Sequence, residues 1–271
     1  MKKIAILNDI HGNLYLLNKV LTYLQNQNID YYFVCGDFLT DGPDSNQIIT
    51  TLQDYPTFFI KGNREETIIA IDNNELLINA KSYPIKYTHD TLTQKNLNFI
   101  KKLSTYSILN IENKKICISH GSPDNLSECV TLDEKRLEKI SHDYPADIYF
   151  FAHTHTAFVK ELNHKLFINS GAINRSYNTP SQTLFGILSI DSSSTNYEQI
   201  FLDYDYQEVE KYYLASPYYQ KFPEWSNIIL YTLKTGKNYL TKFSQSYDYN
   251  QDLQVNFQNF MNKNNLTIIK A

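Results

Sequence analysis

MKKIAILNDIHGN, residues 1–13, carries an apolar run from Lys3 to Leu7 that stops at Asn8 and Asp9. Four apolar residues are too few for the core of a secretory leader, so the run reads as a strand. NLYLLNKVLTYL, residues 13–24, spaces its leucines and valine at three- and four-residue intervals, the period of an amphipathic helix. The unit repeats as YYFVCGD (31–37), a Gly-Pro-Asp turn, the helical SNQIITTLQDY (45–55) and TFFIKGN (57–63). Strand and helix in alternation predict an α/β protein with a parallel sheet covered by helices.

Downstream, Glu65 to Ala80 and Gln94 to Leu103 read as helices, and KKICISH (114–120) and DIYFFAH (147–153) as buried strands ending in histidine. FVKEL (158–162) and KLFINSG (165–171) face each other across Asn163 and His164 as a hairpin, and TLFGILSI (183–190) is a further strand. From about Tyr206 the pattern turns helical and aromatic. The expected organisation is therefore a main α/β domain over 1–205 and a small helical region over 206–271 that could cap it.

Composition narrows the class. With 42% hydrophobic and 14% aromatic residues in 271, the chain is globular. No apolar run approaches the roughly 18 residues of a membrane span. A net charge of −4 without a lysine or arginine block leaves no footprint for long nucleic acid or an anionic membrane. A small phosphorylated partner fits better. Three cysteines, an odd and small number, read as reduced thiols of a cytoplasmic protein.

Chemistry gathers in NDIHGN, CGD, KGNRE, ISHGSP and FAHTHT, each directly after a strand-like run, at the edge where open α/β sheets bind ligands. Those loops would bring together Asp9, His11, Asp37, Asn63, His120, His153 and His155. This is an oxygen and nitrogen donor set without thiolate, suited to manganese, iron, zinc or cobalt. The i, i+2 spacings of Asp9 with His11 and His153 with His155 would let both members of each pair face the site from an extended loop.

The ordered blocks D-x-H, G-D, G-N, H and H-x-H resemble the calcineurin-like metallophosphoesterases over roughly the first 200 residues. The wording GDFLTDGPDSNQII, INSGAINR and EVEKYYLASP is similar to a bacterial branch of small phosphodiesterases and diadenosine polyphosphate hydrolases. The resemblance implies two mixed sheets between helices. It also implies two divalent or trivalent metal ions, manganese and/or iron. Asp9, His11 and His155 would hold one ion, Asn63, His120 and His153 the other, with Asp37 as the bridge. Such a pair, roughly 3.5–4 Å apart, supplies a nucleophile at neutral pH and stabilises charge on the phosphoryl oxygens. The implied activity is hydrolysis of phosphodiester or phosphoanhydride bonds in nucleotides. A Ser/Thr phosphoprotein phosphatase and a non-catalytic metal-binding scaffold are the alternatives.

Where many members carry a histidine after Gly-Asn that protonates the leaving group, this chain has Arg64. Arginine cannot serve as that acid at neutral pH. It can clamp a phosphate and stabilise developing charge, or pair on the surface with Glu65 or Glu66. Asn13 contacts a phosphate or caps the first helix, and Arg175 contacts substrate or is solvated. The aromatic residues from Tyr204 to Phe260 stack on adenine or form core. His89 matches no ligand block and reads as surface.

Overall fold

The computed structural model describes residues 1–79 and 82–270. In chain order they form β1 (Lys2–Leu7), α1 (Leu14–Leu24), β2 (Tyr31–Cys35), α2 (Ser45–Gln53), β3 (Thr57–Ile60), α3 (Asn63–Asp72), α4 (Tyr83–Thr91) and α5 (Gln94–Lys101). There follow β4 (Tyr106–Ile111), β5 (Lys114–Ser119), α6 (Glu134–Asp143), β6 (Ile148–Phe151), β7 (Phe158–Leu162), β8 (Lys165–Asn169), β9 (Gln182–Ile190) and β10 (Thr195–Asp203). Five helices close the chain: α7 (Tyr206–Leu214), α8 (Pro217–Lys221), α9 (Pro223–Thr235), α10 (Tyr239–Ser246) and α11 (Leu253–Lys263). None is long and apolar enough to cross a membrane among the described residues.

Two mixed five-stranded sheets result, ordered β10-β9-β1-β2-β3 and β4-β5-β6-β8-β7. Alternation along each strand feeds two apolar layers at once. Ile4 and Ile6 of β1 join Phe33, Ile118, Phe150 and Ile168 between the sheets. Ala5 and Leu7, one residue out of phase, face the helices with Leu16, Leu17 and Val20. Burial on both faces explains why these strands read as unbroken apolar runs. On the far side of the second sheet, Tyr149, Phe151 and Phe167 pack against Leu137 and Ile140 of α6.

The strand ends, not the strand bodies, carry the surprises. The helix expected over Glu65 to Ala80 stops at Asp72, where Asn73 and Asn74 turn the chain, Asn74 with φ 60. Ala80 itself lies outside the described residues. A separate helix, α4, begins at Tyr83 with Pro84 in its first turn, where the missing N–H costs nothing. His89 closes α4 and pairs with Asp72 at 3.1 Å and Asp90 at 2.9 Å. The expected hairpin is present: β7 and β8 pair antiparallel, and Asn163 and His164 both take positive φ.

Helices α7 to α11 bury Tyr213, Trp225, Ile228, Phe243 and Phe260 in the same apolar cluster as α1 and the first sheet. The tyrosine and phenylalanine stripe from 204 to 260 is thus largely core, and none of its aromatic rings lines the cavity described below. Large rings bury much area each, so a stripe of them holds the last helices down.

Candidate active site

The five loops converge at one edge of the two sheets, held by backbone hydrogen bonds between them. His11 N donates to Asp37 O at 3.0 Å, Ala152 N to His120 O at 2.8 Å, and the Asn8 amide to Phe151 O at 2.9 Å. All three join the ends of different strands, and the Asn8 bond, made by its side chain, spans the two sheets. Gly36 and Gly62 permit the closest approach. A Cβ on Gly62 would lie 2.2 Å from Asp37 Oδ1, and one on Gly36, at φ 86, would lie 2.6 Å from Gly62 Cα. The Gly62→Ala variant is therefore expected to displace Asp37 and lose bound metal, checked by metal content of the purified protein.

All seven expected donors meet here. His11 Nε2 and His155 Nε2 are 3.2 Å apart, with Asp9 Oδ1 3.8 Å from the first and 3.5 Å from the second. His120 Nε2 lies 3.2 Å from His153 Nδ1 and 3.0 Å from Asn63 Oδ1. Asp37 Oδ2 reaches toward both groups, 3.4 Å from His120 Nε2 and 3.9 Å from His11 Nε2. Backbone carbonyls orient two of the rings: His120 Nδ1 bonds Cys35 O at 2.9 Å and His155 Nδ1 bonds Arg175 O at 3.0 Å. A proton on each Nδ1 leaves Nε2 as a free lone pair aimed inward, the tautomer that a metal needs.

Asp9, His11 and His155 form one donor group, and Asp37, His120 and His153 a second, each within the span of a single ion. A buried Asp9 Oδ1 with no hydrogen-bond partner is costly without a cation. The residues thus fit a pair of transition-metal ions.

The loops are not extended. Asp9, His11, Asp37, His153 and His155 have φ of 50, 46, 48, 67 and 55. Left-handed backbone is uncommon in residues with a Cβ and costs about 1–3 kcal/mol each in strained settings. Alternation along a strand thus does not explain the i, i+2 pairs; each ligand is turned inward by its own left-handed kink.

Burial sets the charge states in the metal-free protein. It pushes His11 and His155 well below the ordinary imidazole value, with the Arg175 charge adding to the effect, and carries His153 down to about 4. His120 is also desolvated, but the Asp37 carboxylate outweighs this and lifts it to about 9. Asp9 is raised to about 7 by burial. Glu65 is likewise raised to about 7 by burial. Between about pH 4.5 and 6 the unfolded chain protonates three histidines that the fold keeps neutral, against two protons held by folded Asp9 and Glu65, so stability should fall on acidification. Above about pH 6 the histidines of the unfolded chain lose their protons while folded Asp9 and Glu65, up to about 7, and His120, up to about 9, keep theirs, so stability should fall as pH rises. Melting temperature against pH in chelator is expected to peak near about 6.

Glu65 is the residue that sequence reading missed. The sequence offers it only as one of two alternative surface partners of Arg64, yet it is fully buried. Its carboxylate accepts from Asp37 N at 2.8 Å, Gly62 N at 2.8 Å and Leu39 N at 3.0 Å, tying the second loop to the third. Glu66 pairs instead with Lys61. Arg64 turns inward: its backbone N donates to Asp37 Oδ1 at 2.8 Å and its guanidinium lies 3.2 Å from Asp41. Arg175 is buried rather than solvated, also 3.2 Å from Asp41. Asn13 caps α1 through Leu16 N at 3.0 Å and turns its amide to Asn174, away from the cavity.

A cavity of about 770 Å³ opens over these donors, lined by His11, Asp37, Arg64, His153, Arg175 and Tyr177 at its polar end. Val130, Leu132 and Phe158 form an apolar wall, and Asn238, Leu240 and Thr241 at the start of α10 close one side. Tyr177 stacks on His155 with ring centres 5.1 Å apart. None of these wall residues carries a sequence signature, since they lie far apart in the chain.

Among solved structures, the chain is similar to a metallophosphoesterase from Sphaerobacter thermophilus (TM-score 0.69, 17% identity, covering 87% of this chain and 99% of that one). It is also similar to a hypothetical protein from Pyrococcus horikoshii (TM-score 0.70, 18% identity, 88% and 99%). At such identities the likeness is one of fold. An uncharacterized protein of Methanocaldococcus jannaschii is 26% identical over 176 residues, 63% of this chain and 69% of that protein. The model of the calcineurin-like phosphoesterase superfamily domain matches residues 1–193, which include every one of the seven donors. The chain therefore belongs to the calcineurin-like phosphoesterase superfamily.

Proposed function

We propose that the protein is a two-metal hydrolase of phosphodiester or phosphoanhydride bonds in small nucleotides, with diadenosine polyphosphates and ATP as the substrate class and manganese and/or iron as its metals. The observation that carries this reading is the position of Arg64, whose guanidinium lines the cavity beside the metal donors, where a leaving-group acid would otherwise sit. When bound, the two ions activate water and neutralise charge on the phosphoryl oxygens. Arg64 adds hydrogen-bond donors to that charge and has no proton to give. Leaving groups that depart without protonation, such as a phosphate chain or a nitrophenolate, are therefore favoured over simple alkyl monoesters.

The cavity is small and the sequence has a net charge of −4 with no lysine or arginine block, which supports a small-molecule partner over long nucleic acid or a membrane. The complete donor set supports catalysis over a scaffold role. A panel of bis-p-nitrophenyl phosphate, p-nitrophenyl phosphate, a phosphopeptide, ATP and diadenosine tetraphosphate, assayed with Mn(II) and with chelator, tests the reading. Chelator-sensitive cleavage of the diester and the dinucleotide is expected. Preference for the phosphopeptide would favour a phosphoprotein phosphatase, and silence across the panel with two metal equivalents bound would favour a scaffold. The Arg64→His variant is expected to raise the rate on the phosphopeptide, whose alkoxide leaving group needs a proton, relative to that on bis-p-nitrophenyl phosphate by roughly tenfold or more, in the range one general acid contributes.

A further inference from the structure

Asp41, in the loop after β2, is a buried carboxylate facing three basic groups. Its Oδ2 lies 3.2 Å from Arg64 Nη2, 3.2 Å from Arg175 Nη2 and 3.5 Å from His11 Nδ1. One carboxylate offsets one of two guanidinium charges, so the pair keeps a net positive charge. Arg175 is 2% exposed, yet its Nε and Nη1 have no hydrogen-bond partner, and neither does Arg64 Nε. A guanidinium offers five N–H donors, and leaving charged donors buried without acceptors is among the costliest arrangements in a fold. Both arginines line the same cavity as the metal donors. They flank Asp41 Oδ2, which pairs with both by charge while making no hydrogen bond of its own.

His11 sets the spacing. Its Nδ1 faces Asp41 while its Nε2 faces His155 and the metal donors. One imidazole ring thus separates the arginine pair from the metal centre, so anions bound at the two places would be near neighbours.

We propose that Arg64 and Arg175, braced on Asp41, form a second phosphate subsite that holds the phosphate adjoining the one being cleaved, and so select substrates with linked phosphates over isolated diesters. The assignment of the cleaved phosphate rests on the proposed function; the anion subsite does not. Arg64 and Arg175 bind substrate here, and Asp41 positions them.

The test uses the whole Mn(II)-loaded chain as wild type, Arg175→Gln and Arg175→Lys. The ratio of kcat/KM for diadenosine tetraphosphate to that for bis-p-nitrophenyl phosphate is expected to fall roughly 10- to 100-fold in Arg175→Gln, the effect of one lost charge-assisted hydrogen bond. The fall should lie mainly in KM, with partial recovery in Arg175→Lys. Calorimetric binding of inorganic tripolyphosphate should weaken by a similar factor, and that of inorganic phosphate much less. Equal losses on both substrates, or tripolyphosphate affinity unchanged in Arg175→Gln, would overturn the subsite. If the wild type turns over nothing while tripolyphosphate binding depends on Arg175, the subsite stands and the proposed reaction falls. Should Arg175→Gln fail to fold, Arg64→Gln, at a side chain 26% exposed, carries the calorimetric comparison alone: tripolyphosphate affinity unchanged there would overturn the subsite.

Discussion

The Asp37→Asn variant is expected to lose at least roughly 10³-fold in kcat and to retain fewer than two metal equivalents, because a bridging charge and several kcal/mol of charge stabilisation go together. Among the described residues, Asp37 Oδ2 is the one carboxylate oxygen facing a histidine of each donor group, His120 and His11. Its Oδ1 is already taken by Arg64 N at 2.8 Å. An asparagine must aim its NH₂ either at that N–H, donor against donor, or at the metal donors. Neither orientation restores the negative charge. Turnover and metal content measured on one preparation decide the matter: an Asp37→Asn protein that keeps both metals and activity within tenfold would remove Asp37 from the bridging role.

The second large effect is structural. Glu65→Gln keeps the shape of the side chain but replaces an acceptor oxygen with a donor, and all three partners of that carboxylate are backbone N–H groups. At least one of those amides must then face another donor in a site without solvent. The expected destabilisation is about 2–4 kcal/mol, the range for a buried group deprived of its charged partner. Urea unfolding in chelator measures it without the contribution of bound metal. Loss of metal affinity should accompany it, because Glu65 positions the Asp37 backbone. A midpoint within error of wild type would show that the loops hold their shape without this tie.

Much of this was legible in the chain. Strands such as KIAIL and YYFVC announce themselves because both faces are buried and every position is apolar, and the donors stand out because polar residues abruptly follow such runs. Strand β4 was not read at all: it alternates exposed and half-buried positions at a sheet edge and so has weak apolar contrast. The helix expected across residues 65–80 was overextended because Asn73 and Asn74 break it by conformation, not by composition. Asp41 and Glu65 look like ordinary surface carboxylates in the sequence, since burial depends on loops from elsewhere in the chain. The left-handed kinks at five ligands are equally invisible, for no residue type demands them. The aromatic C-terminal stripe invited a binding story and proved to be core, as bulky rings usually do.

The order of the first sheet has a consequence for how the protein is made. β1 lies at the centre, paired with β2 on one side and with β9 on the other, Lys2 against Ile190. At the usual ribosomal pace of about 5–20 residues per second, roughly 10–40 s separate the emergence of these partners. Throughout that interval one edge of an apolar, unpaired strand stands open, while the second sheet, whose strands all fall between residues 106 and 169, can already assemble from near neighbours. The nascent chain therefore passes through a stage in which four of the seven candidate ligands sit on a sheet that cannot yet close. Holding factors that shield exposed strand edges should improve its yield, and slowing synthesis before β9 should favour aggregation.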